Sequence, residues 1–96
     1  MGLDGKQRRK LRALGHHLAV VVQVGQEGVT PGVMAALEQA LWDHELVKVK
    51  LSSEDRDTRQ GQAEALASGT GAEVAQVLGR TVLLYKANPD EPRIAL

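Results

Sequence analysis

The sequence predicts an α/β domain in two layers, with elements in the order αβαβαββ and a mixed four-stranded sheet. Three observations carry that reading. A β-branched run, Val20-Val21-Val22 with Val24, stops at Gly25-Gln26-Glu27-Gly28 and restarts as a helix at Pro31. The segment Leu46–Leu51 alternates, with Val47, Val49 and Leu51 on one face and two lysines on the other. Two further apolar runs, 73–78 and 81–86, are separated only by Gly79-Arg80. Successive β-α-β units imply parallel strands joined by crossover helices, and the closing hairpin adds an antiparallel strand.

Each element has a local cause. Asp4 followed by Gln7 fits a capping box, so the first helix opens near residue 5. Leu3, Gln7, Leu11 and Leu14 fall on one helical stripe, and the basic residues fall outside it. Gly15 and His16-His17 end that helix. Valine-rich residues 18–24 favour a strand, because branched side chains pack well on a pleated surface. Thr30 is a good N-cap and Pro31 suits the first helical position, opening a helix over 31–44. Val33, Met34, Leu37, Ala40 and Leu41 give that helix its apolar spacing. The polar turn Ser52–Asp55 leads into a weaker helix over 56–68, interrupted by Gly61 and ended by Gly69 and Gly71. Glycine in the first place of Gly79-Arg80 suits a type II′ hairpin. Residues 1–87 are expected to form a single domain, with its helices on one face of the sheet. Residues 88–96, with Pro89 and Pro92, are expected to be a flexible C-terminal tail.

Size and charge narrow the function. Ninety-six residues suffice for one core, and the net charge is zero. The longest apolar run, Leu18–Val22, is far too short to span a bilayer, and no apolar segment follows the basic start as in a secretory signal. Absence of cysteine removes disulfides and thiolate metal sites and fits a cytoplasmic protein. The charges are unevenly spread: Lys6, Arg8, Arg9, Lys10 and Arg12 crowd one short stretch, whereas residues 38–73 are rich in acids. A basic end on a neutral chain suits a polyanion binder with one working face.

The loop Gly25-Gln26-Glu27-Gly28 leads toward a helix N-terminus, whose free N–H groups and partial positive charge suit a phosphate. An enzyme is not expected: there is no cysteine, no GxSxG and no lysine after the glycines of the kind a phosphate-binding P-loop needs. No cofactor is expected either. His16, His17 and His44 have no carboxylate at ligand spacing, so no metal site is expected. Trp42 and Tyr85 are the only aromatics, too few for a platform that stacks several bases, so recognition should rest on shape and backbone.

The motifs, taken together, resemble a known family. They are Gly5-Lys6-Gln7-Arg8-Arg9-Lys10-Leu11-Arg12-Ala13-Leu14, His16-His17-Leu18, Val22-Gln23-Val24-Gly25 with Gly28, Glu45–Lys50, Thr70-Gly71-Ala72-Glu73, and Gln76–Arg80 leading to Leu84-Tyr85. In that order and spacing, over about residues 3–87, the chain resembles the YhbY family, the stand-alone bacterial form of the CRM (chloroplast RNA splicing and ribosome maturation) domain. The resemblance implies a fold similar to the C-terminal domain of translation initiation factor three. It also implies an RNA-binding module whose GxxG loop acts like that of KH domains on the nucleic-acid backbone. Bacterial members are associated with precursors of the large ribosomal subunit. Carried onto this chain, the implied RNA-binding residues are Lys6, Arg8, Arg9, Lys10, Arg12, Gly25, Gln26, Glu27, Gly28 and Arg80.

Two departures from the family pattern shift weight onto the basic helix. Gln26 and Glu27 stand where relatives commonly hold a basic loop residue, and Ala19-Val20 stands where Lys-Pro is frequent. The expected partner is ribosomal RNA of the large-subunit precursor, with ribosomal proteins as candidate partners, no membrane, and a monomeric state. The alternative expectation is an adaptor that docks on a ribosomal protein or assembly GTPase through the acidic middle segment.

Overall fold

The computed structural model describes residues 2–96. Its elements are α1 (Gly5–Gly15), β1 (Val20–Val24), α2 (Pro31–His44), β2 (Leu46–Leu51), α3 (Arg56–Thr70), β3 (Glu73–Leu78) and β4 (Thr81–Tyr85). The caps are those that the sequence predicts. Asp4 Oδ1 accepts the Gln7 N–H at 2.7 Å, and Gln7 Oε1 accepts the Asp4 N–H at 3.1 Å. Thr30 Oγ1 accepts the Val33 N–H at 3.2 Å. Gly79, with φ of +57°, opens the β3–β4 hairpin while Arg80 keeps negative φ, as a II′ turn requires.

The sheet is mixed, in the order β1-β2-β4-β3. β1 and β2 are parallel, whereas β4 runs antiparallel to both β2 and β3. The last strand therefore fills the gap left by the β2-α3-β3 crossover. Its central place explains why Val82, Leu83 and Leu84 are all buried: both faces of β4 are covered.

One face packs Val22, Val24, Val47, Val49, Leu51, Val82 and Leu84 against Leu37 and Leu41 of α2 and Ala63 and Leu66 of α3. The α/β class, element order and mixed sheet agree with the sequence. The placement of α1 corrects the expectation that all helices share one face. Leu11 of α1 packs with Leu46, Ala75 and Leu83, which point to the other side of the sheet. Alternation decides this, because Leu46 and Leu83 have the opposite parity to Val47 and Val82. The buried stripe of α1 also ends differently. Gly15 is buried, and a Cβ there would meet Leu83 Cδ2 at 2.7 Å, while Leu14 is 40% exposed.

Residues 88–96 are expected from sequence to be a flexible tail, but hydrogen bonds tie Asn88, Arg93 and Ile94 to the domain. Glu45, the C-cap of α2, is buried with φ of +62°. Its Oε2 accepts the Asn88 N–H at 2.6 Å, and its Oε1 accepts the N–H groups of Arg93 and Ile94 at 2.6 and 2.7 Å. Asn88 is buried, and its Nδ2 donates to the Trp42 carbonyl at 2.9 Å. Ile94 then lies against the α1-side core.

Candidate nucleic-acid interface

Helix α1 concentrates positive charge, although Asp4 at its N-cap and Arg12 in its last turn do suit the helix dipole. Its first turn holds no acid, and Lys6 sits where the helix dipole is positive. Lys6 with Lys10 and Arg8 with Arg12 are like-charge neighbours at i and i+4, an arrangement that costs about 0.2–0.5 kcal/mol per pair. Among the described residues, none of the five cations lies within ion-pair distance of a carboxylate. Lys10 Nζ donates to the Ala95 carbonyl. A face that existed only to be solvated would gain by mixing its signs.

The fold adds two cations to that side. Lys48 and Lys50 share the face of β2 that α1 occupies, and α1 covers only part of it, since its C-terminal end stops over Leu83. Beyond that end, Gln23, Lys50, Thr81 and Leu78 form a row across all four strands. The two lysines lie about 7 Å apart along the strand. Near this side, Asp4 is spent on its cap, Glu73 Oε2 accepts the Leu3 N–H at 2.7 Å, Glu91 contacts Arg93, and Asp43 lines a cavity with Lys48. Glu38, Asp57 and Glu64 project from α2 and α3 instead. The fold thus brings Lys48 and Lys50 to the side of the sheet that carries the five cations of α1.

The Gly25–Gly28 tetrapeptide is a tight turn in which the Gly28 N–H donates to the Gly25 carbonyl at 3.0 Å. The two glycines have different reasons to be there. Gly28 has φ of +79°, a conformation that L side chains adopt only with strain. Gly25 has ordinary φ, and a Cβ built on it meets nothing within 4 Å. Gln26 and Glu27 are exposed at the tip. The backbone of this fold does not require glycine at position 25, which leaves an open approach for another molecule.

The structure does not gather all the expected site residues into one cluster. The N-terminal end of α1 lies by Glu73, at the end of the sheet where Glu73 pairs with Tyr85. The GxxG loop leaves β1 at the opposite end, where Val24 pairs with Leu51 and the Leu51 N–H donates to the Arg80 carbonyl at 2.6 Å. Lys48 and Lys50 lie between these ends. Arg80 is next to the GxxG end of the sheet, and its guanidinium meets Glu54 Oε1 at 3.2 Å. That exposed pair contributes little to stability.

Arg56 and Arg59, which sequence reasoning did not single out, line a small recess with Gly79 beside that hairpin. Arg59 Nη1 is already spent on the carbonyls of Ser53 and Glu54, at 3.0 and 2.8 Å. The available signal was two arginines in the first turn of α3, where the helix dipole disfavours cations.

Burial alone would push the Glu45 carboxyl upward, but its backbone donors Asn88, Arg93 and Ile94, with the Arg93 charge, outweigh that and hold it below the ordinary range. The Asp55 carboxyl is also held low, first by the Thr58 hydroxyl and then by the Thr58 N–H. Neither group faces the cationic surface, so both shifts belong to the fold. Among the described residues no three His, Cys, Asp or Glu side chains converge on a possible metal, and no helix is long and apolar enough to cross a membrane.

Comparison with known proteins agrees in length and fold. The model of the CRS1 / YhbY (CRM) domain matches residues 3–86. An RNA-binding protein of Haemophilus influenzae is 42% identical over 94 residues, covering 98% of this chain and 94% of that one. A protein of Pseudomonas aeruginosa, described as a probable RNA-binding protein, is 40% identical over 89 residues, with coverage of 93% and 86%. Among solved structures, that of a hypothetical protein from Staphylococcus aureus superposes with a TM-score of 0.80 at 32% identity, covering 95% of this chain and 99% of that one.

Proposed function

Since this chain belongs to the CRS1 / YhbY (CRM) domain family, we propose that it is an RNA-binding protein that works by binding alone, laying its cationic face along an RNA backbone. The observation that carries this reading is the gathering of Lys6, Arg8, Arg9, Lys10, Arg12, Lys48 and Lys50 on one side of the sheet. Among the described residues no carboxylate is paired with any of them. Relatives that this chain matches along nearly their whole length are described as RNA-binding proteins.

In this account the RNA backbone runs from α1 across Lys48 and Lys50 to the Gly25–Gly28 turn and Arg80. β2 alone spans about 17–20 Å, so the footprint needs several consecutive nucleotides rather than one phosphate. Glu27 repels phosphate at the turn, so its backbone N–H groups serve there and α1 supplies most of the attraction. The scarcity of aromatics makes the contact one of shape and charge.

The process that fits the family resemblance is assembly of the large ribosomal subunit in the cytoplasm. Sedimentation of lysate on a gradient tests it. Comigration with large-subunit particles, released by salt and by reversal of Arg8, Arg9 and Arg12, is expected. Retention at the top of the gradient under both conditions would remove ribosome assembly from the account.

A further inference from the structure

Beside the cationic face lies a cavity of about 500 Å³ at the β1 edge, between the end of α1, the α1–β1 connection and the C-terminal segment. Leu14, Leu18 and Val21 line it, together with Leu46 and Ile94. The first three are 40%, 36% and 55% exposed, a large share of the exposed bulky apolar surface of the described residues gathered at one place. Singly exposed apolar residues need no explanation, but three around one concavity do.

Its lining carries two cations, Lys48 and Arg93, against one carboxylate, Asp43, which accepts the Gln39 side-chain N–H at 3.1 Å, with His17 and His44 beside them. Arg93 keeps a long 3.5 Å contact with Glu91 and is half exposed. Lys48 belongs both to this lining and to the cationic face, so the cavity opens onto the path proposed for the RNA backbone. A second cavity of similar size, about 540 Å³, is lined by two carboxylates, Asp4 and Glu73, against one cation, Lys86, whose Nζ already donates to the Thr70 carbonyl, and suits a polyanion less well.

An apolar floor flanked by Lys48 and Arg93, the first shared with the proposed backbone track, suits a planar base carried on a phosphate chain. We propose that this cavity receives a single unpaired nucleobase extruded from the bound RNA, while Lys48 and Arg93 hold the flanking phosphates. The proposal rests on the RNA-binding reading above and deepens it. It makes the preferred target a helix interrupted by an unpaired base rather than a perfect duplex, and it gives the histidines a place to meet base edges.

Binding of three labelled RNA hairpins of equal length tests this: fully paired, with a one-base bulge, and with the same bulge made abasic. The base-bearing bulge should bind about tenfold tighter than the other two, the scale of burying roughly 55 Å² of apolar surface. The double variant Leu18→Gln/Val21→Gln, altered only at exposed positions, should lose that preference and still bind the paired hairpin with an unchanged melting temperature. If the abasic bulge binds as tightly as the base-bearing one, or the wild type does not distinguish the hairpins, the base pocket is overturned and the RNA-binding reading stands. If no hairpin binds at all, both fall.

Discussion

Glu45 and Ile94 lie 49 residues apart in sequence, yet the Ile94 N–H donates to the buried Glu45 carboxylate at 2.7 Å. The same carboxylate holds Arg93 and Asn88, so one acid ties the C-terminal segment to the end of α2. Its neighbour Lys86 continues the fastening, with its N–H on the Glu45 carbonyl at 2.9 Å and its Nζ on the Thr70 carbonyl at 2.6 Å.

Glu45→Gln should destabilise the domain by roughly 2 kcal/mol at neutral pH, because an amide cannot accept three N–H donors as a carboxylate does. Acid should act in the same direction. A depressed carboxyl contributes stability that is fully present above its unfolded value and is lost as pH falls through the folded value. The wild type should therefore weaken as pH drops below about 4.5, and the Gln variant should show a smaller acid dependence. Urea unfolding at a series of pH values measures both.

The two loop glycines should separate stability from binding. Gly28→Ala should cost about 1–2 kcal/mol, the strain of a Cβ in left-handed backbone. Gly25→Ala meets no neighbour and should change stability by less than about 0.5 kcal/mol. It should nevertheless weaken RNA binding several-fold if the backbone approaches RNA at that point. Thermal melts paired with a binding titration decide the matter, and unchanged binding in Gly25→Ala would leave the loop as a turn only.

Arg9→Glu should move stability and affinity in opposite directions. The substitution turns like-charge pairs with Lys6 and Arg12, each three residues away, into attractive ones and favours the helix by about 0.3–0.5 kcal/mol. RNA affinity should fall. A parallel loss of both would mean that Arg9 serves the fold.

Arg80→Ala should leave stability within about 0.5 kcal/mol, since its pair with Glu54 is exposed on both sides. Affinity should drop by no more than one phosphate contact. A drop as large as that from reversing α1 would shift the centre of the interface to the hairpin end.

Local signals made much of this molecule legible. The capping box at Asp4, the Thr30-Pro31 start and the alternation of Leu46–Leu51 each act within a few residues, so the sequence displays them. The lysine face of β2 followed from the same alternation. What depends on distant partners did not show. Periodicity reveals that α1 has an apolar stripe but not which side of the sheet it covers, and Leu14 sits beside that stripe while Gly15 takes the contact with Leu83. Glu45 reads as an ordinary surface acid between His44 and Leu46 until residues 88–94 return to it. Trp42 is half exposed, and its carbonyl accepts the Asn88 side-chain N–H. The basic cluster of α1 was visible as composition. Its continuity with Lys48 and Lys50 needed the sheet register.

The most direct test of the central claim is the salt dependence of binding to a labelled RNA hairpin, for the wild type and for Arg8→Glu/Arg9→Glu/Arg12→Glu. Seven phosphate contacts predict that log K falls with log salt at a slope of roughly −5 to −6, and the triple reversal should flatten it to about half or less. A wild-type slope near zero, or one that the reversal leaves unchanged, would contradict an interface built on the cationic face of α1 and β2.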